Sequence, residues 1–318
     1  MFGATLSRCR YGHGSAIITR GLLFGVEIGL QAPPGFIPII PKYVPCDHGK
    51  WERPGAKLCR IIESYGPGGV AKAFEGSGLK LLYDPAYSSY MPYIPMSSVL
   101  VYMSPKEALR RALSGGSPLV VELARAAQAL SRAVGSADSL GLTGSFAMEI
   151  EQGFSDIDFV VYGVDEATAA FKFFTKSLKE GECKEDFGGV RVKGFTCLAW
   201  RRGLLDGVNV PVSWVGVPEG PASACRPLSE YSHIEPPARS YANVLTIQPY
   251  QESALLYPPC VSTEEGVTIV SFEYNLGGYL YRGGEVFVDG LTTSDGKVVY
   301  IGTRERPGGL TLIRQFKP

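Results

Sequence analysis

The sequence lacks several features that would assign a protein of 318 residues at once. Its seven cysteines are scattered and form no C-x-x-C, which argues against a zinc site with closely spaced ligands and against a disulfide-dense secreted scaffold. We expect most of them to be small, buried apolar residues, with one or two disulfides if the source is a hyperthermophile. The sequence also contains no G-x-x-x-x-G-K-[ST] loop and no dinucleotide fingerprint.

An excess of charge and a long apolar run are missing as well. Lys plus Arg and Asp plus Glu both number 31, so no overall basic field would attract nucleic acid. Any contact with RNA or DNA must then come from a local patch. No stretch of 18 apolar residues and no secretory signal is present, which predicts a cytoplasmic protein without a membrane span.

The texture of the sequence predicts three regions. Residues 1–103 alternate short apolar runs with Gly and Pro turns, typical of a β-rich domain in which Tyr83 to Pro95 is an extended crossing loop. Residues 104–235 mix helix and strand patterns and form the middle domain. Residues 236–318 show strand patterns but no helix signal, which predicts a small antiparallel β barrel or sandwich. The fold class is therefore α+β.

The middle region gives the clearest local signals. Ser104, with Pro105 and Glu107 behind it, forms a capping box that begins a short helix. The further elements predicted there are a helix from Ser117-Pro118 to Val134, strands at Leu140–Thr143 and Ile157–Tyr162, a helix capped by Asp165 that runs through Lys179 to a C-terminal Gly181, and strands at Val190–Trp200 and Val208–Val217. We expect all these strands to share one sheet.

One segment contains chemically suggestive residues. Gly144-Ser145 is followed after ten residues by Asp156 and Asp158. Carboxylates at i and i+2 of a strand lie on the same face, while Ile157, Phe159 and Val161 point into a core on the other. The strand therefore holds two acidic groups side by side against an apolar backing.

Two close carboxylates are unfavourable unless a cation lies between them. Mg²⁺ satisfies this need, since proteins hold it with one or two carboxylates plus substrate phosphates. Gly144 allows a close backbone approach, and Ser145 can begin a helix whose N-terminal amides face phosphate. The combination predicts a phosphoryl-transfer site.

This arrangement resembles the motif of the DNA polymerase β-like nucleotidyltransferase superfamily, in which a hydrophobic–Gly–Gly/Ser turn precedes Asp–hydrophobic–Asp/Glu. The segment from Ser155 to Gly163 looks like archaeal proteins classed as nucleotidyltransferases. The resemblance implies a mixed sheet with helices in the middle domain. It also implies Mg²⁺-dependent transfer of a nucleoside monophosphate from an NTP, with Asp156 and Asp158 as catalytic metal ligands and Gly144 and Ser145 at the triphosphate.

The sequence departs from that family in one respect. Active members place a third carboxylate on a following strand, but residues 208–217 offer only Asn209, Pro211 and Ser213 on the polar face. Glu149 and Glu151 are alternative acids in the spacer. Two hypotheses therefore stand: an enzyme acting on an unknown acceptor (RNA, protein or a small molecule), or a catalytically lapsed module that binds nucleotide, RNA or a protein partner.

Three further groups have both a functional and a structural interpretation. The basic residues of the segment after the acidic strand either meet phosphates or form a solvated hairpin: Arg191, Lys193, Arg201 and Arg202. Cys46-Asp47-His48 resembles part of a metal set, although a chance cluster in a loop is the preferred interpretation. Aromatic residues of the C-terminal region either stack on bases or, as we prefer, pack a small barrel: Phe272, Tyr274, Tyr279 and Tyr281.

Overall fold

The fold is mixed α+β with several β-sheets. The computed structural model describes residues 12–53, 55–179, 184–219 and 231–316. None of the helices within these ranges combines the length and the apolar character that crossing a membrane requires.

The N-terminal region is built mainly from short strands, as its turn-rich sequence predicts. Its elements are β1 (Ala16–Thr19), β2 (Phe24–Glu27), β3 (Phe36–Pro45), β4 (Trp51–Arg53), β5 (Ala56–Arg60), α1 (Pro67–Gly76), β6 (Leu82–Asp84), β7 (Ser89–Met91), β8 (Tyr93–Pro95) and β9 (Val99–Met103). An antiparallel sheet runs in the order β4-β5-β3-β2-β1-β9 with β8 beside β3, and β6 pairs with β7 separately. The prediction of an extended crossing loop from Tyr83 to Pro95 is therefore wrong, because β6 and β7 pair with each other and β8 pairs with β3.

The middle region places helices against a small mixed sheet. Its elements are α2 (Pro105–Ser114), α3 (Val120–Val134), β10 (Leu140–Thr143), α4 (Gly144–Ala147), β11 (Ile157–Tyr162), α5 (Val164–Ser177), β12 (Asp186–Phe187), β13 (Val190–Lys193), β14 (Arg202–Gly203) and β15 (Val212–Val217). The sheet order is β10-β11-β15-β14, with β11 antiparallel to β10 and parallel to β15. Helix α5 contacts both β11 and β15. The acidic strand is thus interior to the sheet, with a partner on each side.

Local signals located the helices of this region well. The Ser104 side chain accepts a hydrogen bond from the Glu107 backbone N–H at 3.4 Å, which confirms the predicted cap. The prediction for α5 was wrong in detail, because Gly163 is its N-cap and Asp165 lies within the first turn. An acidic side chain in that turn stabilises the helix through its dipole. The predicted C-terminal Gly181 lies outside the described residues.

The two later strands also differ from prediction. The strand expected from Val190 to Trp200 ends at Lys193, and β13 pairs with the strand at 309–314 instead of joining the middle sheet. The strand expected from Val208 begins only at Val212. Residues 205–208 form a turn before it, in which the Val208 N–H donates to the Leu205 carbonyl at 3.1 Å.

The C-terminal region forms a larger sheet. Its elements are β16 (Pro237–Ile247), β17 (Cys260–Ser262), β18 (Thr268–Ser271), α6 (Gly277–Arg282), β19 (Gly284–Thr293), β20 (Val298–Ile301) and β21 (Gly309–Arg314). The sheet runs β12-β13-β21-β19-β20-β18-β17 with β16 beside β19. It is mixed, since β13 is parallel to β21 and β18 is parallel to β20. The predictions of a purely antiparallel sheet and of no helix after Pro236 were therefore wrong.

Candidate active site

The Gly144 turn between β10 and β11 is shaped around an acidic side chain. Gly144 has φ +70°, and a Cβ placed on it would lie 2.6 Å from Asp158 Oδ2. Any larger residue would be strained there and would collide with the carboxylate. Ser145, which follows, is buried and borders the same cavity as Asp158. Because α4 is a single turn of four residues, the predicted helix-terminus contribution to phosphate binding has little structural basis.

The two acids lie at the beginning of β11. Asp158 faces Thr143 of β10 on one side and Ser213 of β15 on the other, and Asp156 directly precedes the strand. Both are half-buried. The predicted apolar backing is confirmed, because Ile157, Phe159 and Val161 have no solvent exposure. The carboxylates are therefore held by a rigid core strand.

The position expected for a third acid holds a serine. Ser213 Oγ donates a hydrogen bond to Asp158 Oδ1. Asn209 lies elsewhere, since its backbone N–H and its side-chain amide both donate to Glu122, at 2.9 and 3.1 Å. Glu149 does not substitute for the third acid, because it forms ion pairs with Arg53 and Arg111.

An arginine contacts the other acid. Arg202 is opposite Ser213 in the β14–β15 pair, and its guanidinium forms an ion pair with Asp156. Of the basic residues predicted from sequence, Arg201 and Arg202 border the cavity, whereas Arg191 and Lys193 are exposed on β13. Of these four residues, only Arg201 and Arg202 are placed to contact a phosphate held in the cavity.

Two further cations come from the N-terminal sheet and were not predicted. Lys42 lies on β3 and Arg60 at the end of β5, in neighbouring register positions. The Lys42 Nζ and the Arg60 Cζ lie 5.5 and 5.8 Å from the centre of the Tyr65 ring. Arg60 also donates to the Tyr65 hydroxyl at 3.2 Å. Within the described residues, no carboxylate oxygen lies within 4.0 Å of either cation. A lone lysine in the apolar run Phe36–Pro45 was the available sequence signal.

The electrostatics of the acid pair and of Lys42 are coupled. Burial raises the pKa of Asp156, repulsion from Asp158 adds to this, and Arg202 and Arg60 oppose it. Burial alone would lower the pKa of Lys42, but Tyr65 and Asp158 outweigh it, so this pKa lies above its ordinary value. Lys42 is therefore an ammonium group at neutral pH, and it borders the same cavity as the acids.

All three regions of the chain border one cavity of about 790 Å³. Its walls include Tyr65 and Tyr87 from the N-terminal region, the acid pair from the middle region, and Tyr257 from the C-terminal region. Cavities of this size accommodate a ligand as large as a nucleotide. The acids line its wall, so a ligand held here would contact them directly.

Other predicted groups have structural roles. Cys46 and Cys59 form a disulfide, so they are not the small apolar residues expected, and the sulfurs beside His48 are not thiolate ligands. Cys197 is also disulfide-bonded, whereas Cys260 is free and buried as predicted. The packing interpretation is confirmed for Tyr279 and Tyr281, whose rings pack against Phe195 and Phe171 at 5.0 and 4.8 Å. It also holds for Phe272 and Tyr274, which pack against Tyr300 and Trp200 at 5.7 and 5.2 Å and in addition border the cavity.

Comparison with known proteins found no match to a family model, a curated protein or a solved structure.

Proposed function

We propose that the protein is a Mg²⁺-dependent nucleotidyltransferase that moves a nucleoside monophosphate from an NTP to an acceptor. The observation behind the proposal is that two charge types border one cavity. Asp156 and Asp158 line it together with Lys42 and Arg60, which have no carboxylate partner within salt-bridge distance among the described residues. A metal–triphosphate complex has the charges that complement both sets of side chains.

The donor set suits Mg²⁺. Both carboxylates supply hard oxygen ligands from a rigid strand, and phosphate oxygens of the substrate would complete the coordination. Bound to Asp156 and Asp158, the ion would offset phosphate charge and polarise the reacting phosphoryl group. The guanidinium of Arg202 must then move from Asp156 to a phosphate, a group that arginine binds well.

The remaining side chains position the substrate. Lys42 and Arg60, which border the same cavity as the acids, would bind phosphate oxygens. Ser213 orients Asp158 through its hydrogen bond, and Gly144 leaves room for that carboxylate. In the transfer, the acceptor oxygen bonds to the α-phosphorus while the bond to pyrophosphate breaks. With serine at the third-acid position, the hydroxyl proton of the acceptor would pass to Asp158 or to the departing pyrophosphate.

Calorimetry with each NTP, with and without Mg²⁺, tests this proposal. The variants are Asp156→Asn and Asp158→Asn, which keep side-chain size and remove charge, and Asp138→Asn at an exposed loop is the matched control. We expect Mg²⁺-dependent binding that the first two variants lose and the control keeps. Absence of NTP binding by the wild type would reject the proposal.

A catalytically lapsed nucleotide-binding module is the second candidate. Ser213 at the third-acid position and the Arg202–Asp156 ion pair favour it, because both satisfy the acids without metal. Arg202→Gln separates the candidates. If Arg202 competes with metal, the variant binds Mg²⁺–NTP more tightly. If Arg202 substitutes for metal, wild-type NTP binding is independent of Mg²⁺ and the variant weakens it.

A further inference from the structure

The inner end of the cavity differs in chemistry from the end that holds the acids. His13, Tyr257 and Tyr274 border it, and the rings of His13 and Tyr257 lie 4.2 Å apart between centroids, with 31° between their planes. Tyr274 continues this aromatic wall at 6.4 Å from Tyr257. The flat apolar faces on this wall suit a planar ring better than a phosphate.

His13 is held in one position and one protonation state. Its Nδ1 accepts a hydrogen bond from the Gly29 backbone N–H at 2.9 Å, and a Cβ on Gly29 would lie 2.7 Å from the His13 Cβ. Burial, with the nearby charges of Arg201 and Lys42, lowers the pKa of His13 to about 3. The ring is therefore neutral at pH 7, and since Nδ1 is an acceptor, its proton is on Nε2.

The Nε2–H of His13 is available to a ligand. It has no hydrogen-bond partner among the residues that the structure describes, and the ring borders the cavity. The charged groups near this end already have partners. Arg201 donates to Asn275 Oδ1 at 2.9 Å and lies 5.1 Å from the Tyr274 ring centre, and Glu273 Oε1 accepts from the Asn275 backbone N–H at 3.0 Å. A neutral donor beside aromatic faces is suited to a heteroaromatic ring with an acceptor nitrogen or carbonyl.

This end is connected directly to the acid pair. Gly14, next to His13, accepts a hydrogen bond through its carbonyl from Thr143 Oγ1 at 2.6 Å, and Thr143 is the register partner of Asp158. His13 and Asp158 therefore belong to adjoining walls of one cavity, within reach of a single extended ligand. An aromatic group at one end and a metal–phosphate group at the other describe the two ends of a nucleotide.

We propose that the inner end of the cavity is the nucleobase site of the NTP, where the base contacts the aromatic wall and accepts a hydrogen bond from His13 Nε2–H. This inference rests on the proposed function, since it assigns the base end of the same ligand. It identifies His13 as a specificity residue from the N-terminal region.

The alternative location for the base is the mouth of the cavity. Phe154 is 58% exposed there and lies edge-on to Trp51 at 5.8 Å. Trp51 offers an indole N–H there, but Phe154 is open to solvent. A base would bury less of its surface at the mouth than at the inner end, so binding at the inner end is favoured.

The test compares inorganic tripolyphosphate with the four common ribonucleoside triphosphates, by calorimetry in Mg²⁺ on the full chain. His13→Asn retains an acceptor for the Gly29 N–H but lacks Nε2–H and the ring, and His48→Asn is the exposed control. We expect at least one NTP to bind the wild type about tenfold or more tighter than tripolyphosphate, as base stacking and one hydrogen bond provide. His13→Asn should remove most of that difference and leave tripolyphosphate affinity unchanged.

Four results would overturn the inference. Equal wild-type affinity for tripolyphosphate and every NTP would show that no base site contributes, even if His13→Asn failed to fold. If Phe154→Ala, but not His13→Asn, removed the difference in affinity between NTP and tripolyphosphate, the base would bind at the mouth. If His13→Asn lowered the affinity for NTP and for tripolyphosphate equally, His13 would only support the fold or the phosphate site. If neither ligand binds the wild type, the proposed function itself fails, and the inference fails with it.

Discussion

Lys42→Met should weaken binding of Mg²⁺–NTP while leaving the fold intact. Methionine keeps the length and apolar part of the half-buried side chain and removes only the charge. The ammonium group has no carboxylate within 4.0 Å among the described residues, so little folding energy depends on it. We expect the free energy of unfolding to change by less than about 1 kcal/mol, the range of weakly paired charges.

The effect on binding is larger because the phosphate supplies the missing partner. A hydrogen bond to a charged group contributes about 1.5–3 kcal/mol net, which corresponds to roughly 10- to 150-fold in dissociation constant. Because Lys42 is half-buried and its pKa is raised, we expect its contribution to binding to lie toward the middle of this range. Tripolyphosphate should be affected as strongly as NTP, since the contact is to phosphate.

Calorimetry in Mg²⁺ at two salt concentrations measures this effect, with thermal unfolding as the check on the fold. Lys80→Met, at an exposed site, is the matched control and should change neither quantity. A dissociation constant for Lys42→Met within twofold of wild type, for both ligands, would show that the N-terminal sheet does not contact the phosphates. Lys42 would then have no part in binding the phosphates.

Other variants test the surroundings of the site. Burial raises the pKa of Glu27 from 4.5 to about 7, so the folded protein keeps a proton that the unfolded chain loses across this window. Stability should therefore fall by up to about 3 kcal/mol as pH rises from 4.5 to 7, and Glu27→Gln should flatten this dependence in denaturation curves. Gly144→Ala should cost about 1–3 kcal/mol and reduce Mg²⁺ binding, whereas Gly153→Ala, with nothing within 4 Å of the added Cβ, should change neither. The disulfide between Cys46 and Cys59 joins the strands that carry the two basic side chains. Replacing both cysteines with serine should lower the free energy of unfolding by about 3 kcal/mol and weaken tripolyphosphate binding, whereas unchanged affinity would show that the disulfide does not position those side chains.

The acidic half of the site could be predicted because it is local in sequence. Gly144 and the acid pair lie within 15 residues, and strand periodicity alone places Asp156 and Asp158 on one side of β11. The structure adds the reason for Gly144, which is the space required by Asp158. Short-range patterns therefore identified the acids and their apolar backing.

The basic and aromatic parts could not be predicted, since they depend on pairing between distant segments. Lys42 and Arg60 approach the acids only because β3 and β5 lie beside the middle region, more than 90 positions away in sequence. His13 is connected to the site through Gly14 and Thr143, which are separated by 129 residues. No periodicity encodes such contacts, because they depend on the packing of whole sheets.

Tertiary packing also explains the helix α6 that sequence patterns missed. Gly277 and Gly278 disfavour a helix by propensity. A Cβ on Gly278 would lie 2.7 Å from the Trp200 ring, and one on Gly277 would lie 2.4 Å from the Ala254 carbonyl. The glycines allow close packing that stabilises the helix despite its weak propensity, which is why local patterns gave no helix signal here.

The distribution of charge argues that the cavity is shaped for a ligand with both signs. A purely structural network would pair each buried charge with its opposite, as Arg202 does with Asp156. Lys42 and Arg60 instead contact Tyr65, and Asp158 receives a neutral hydroxyl from Ser213. Cations and a carboxylate thus border one cavity without direct ion pairs, and Lys42 and Asp158 interact only through their charges. A divalent metal bound to a polyphosphate would contact both sets of side chains at once.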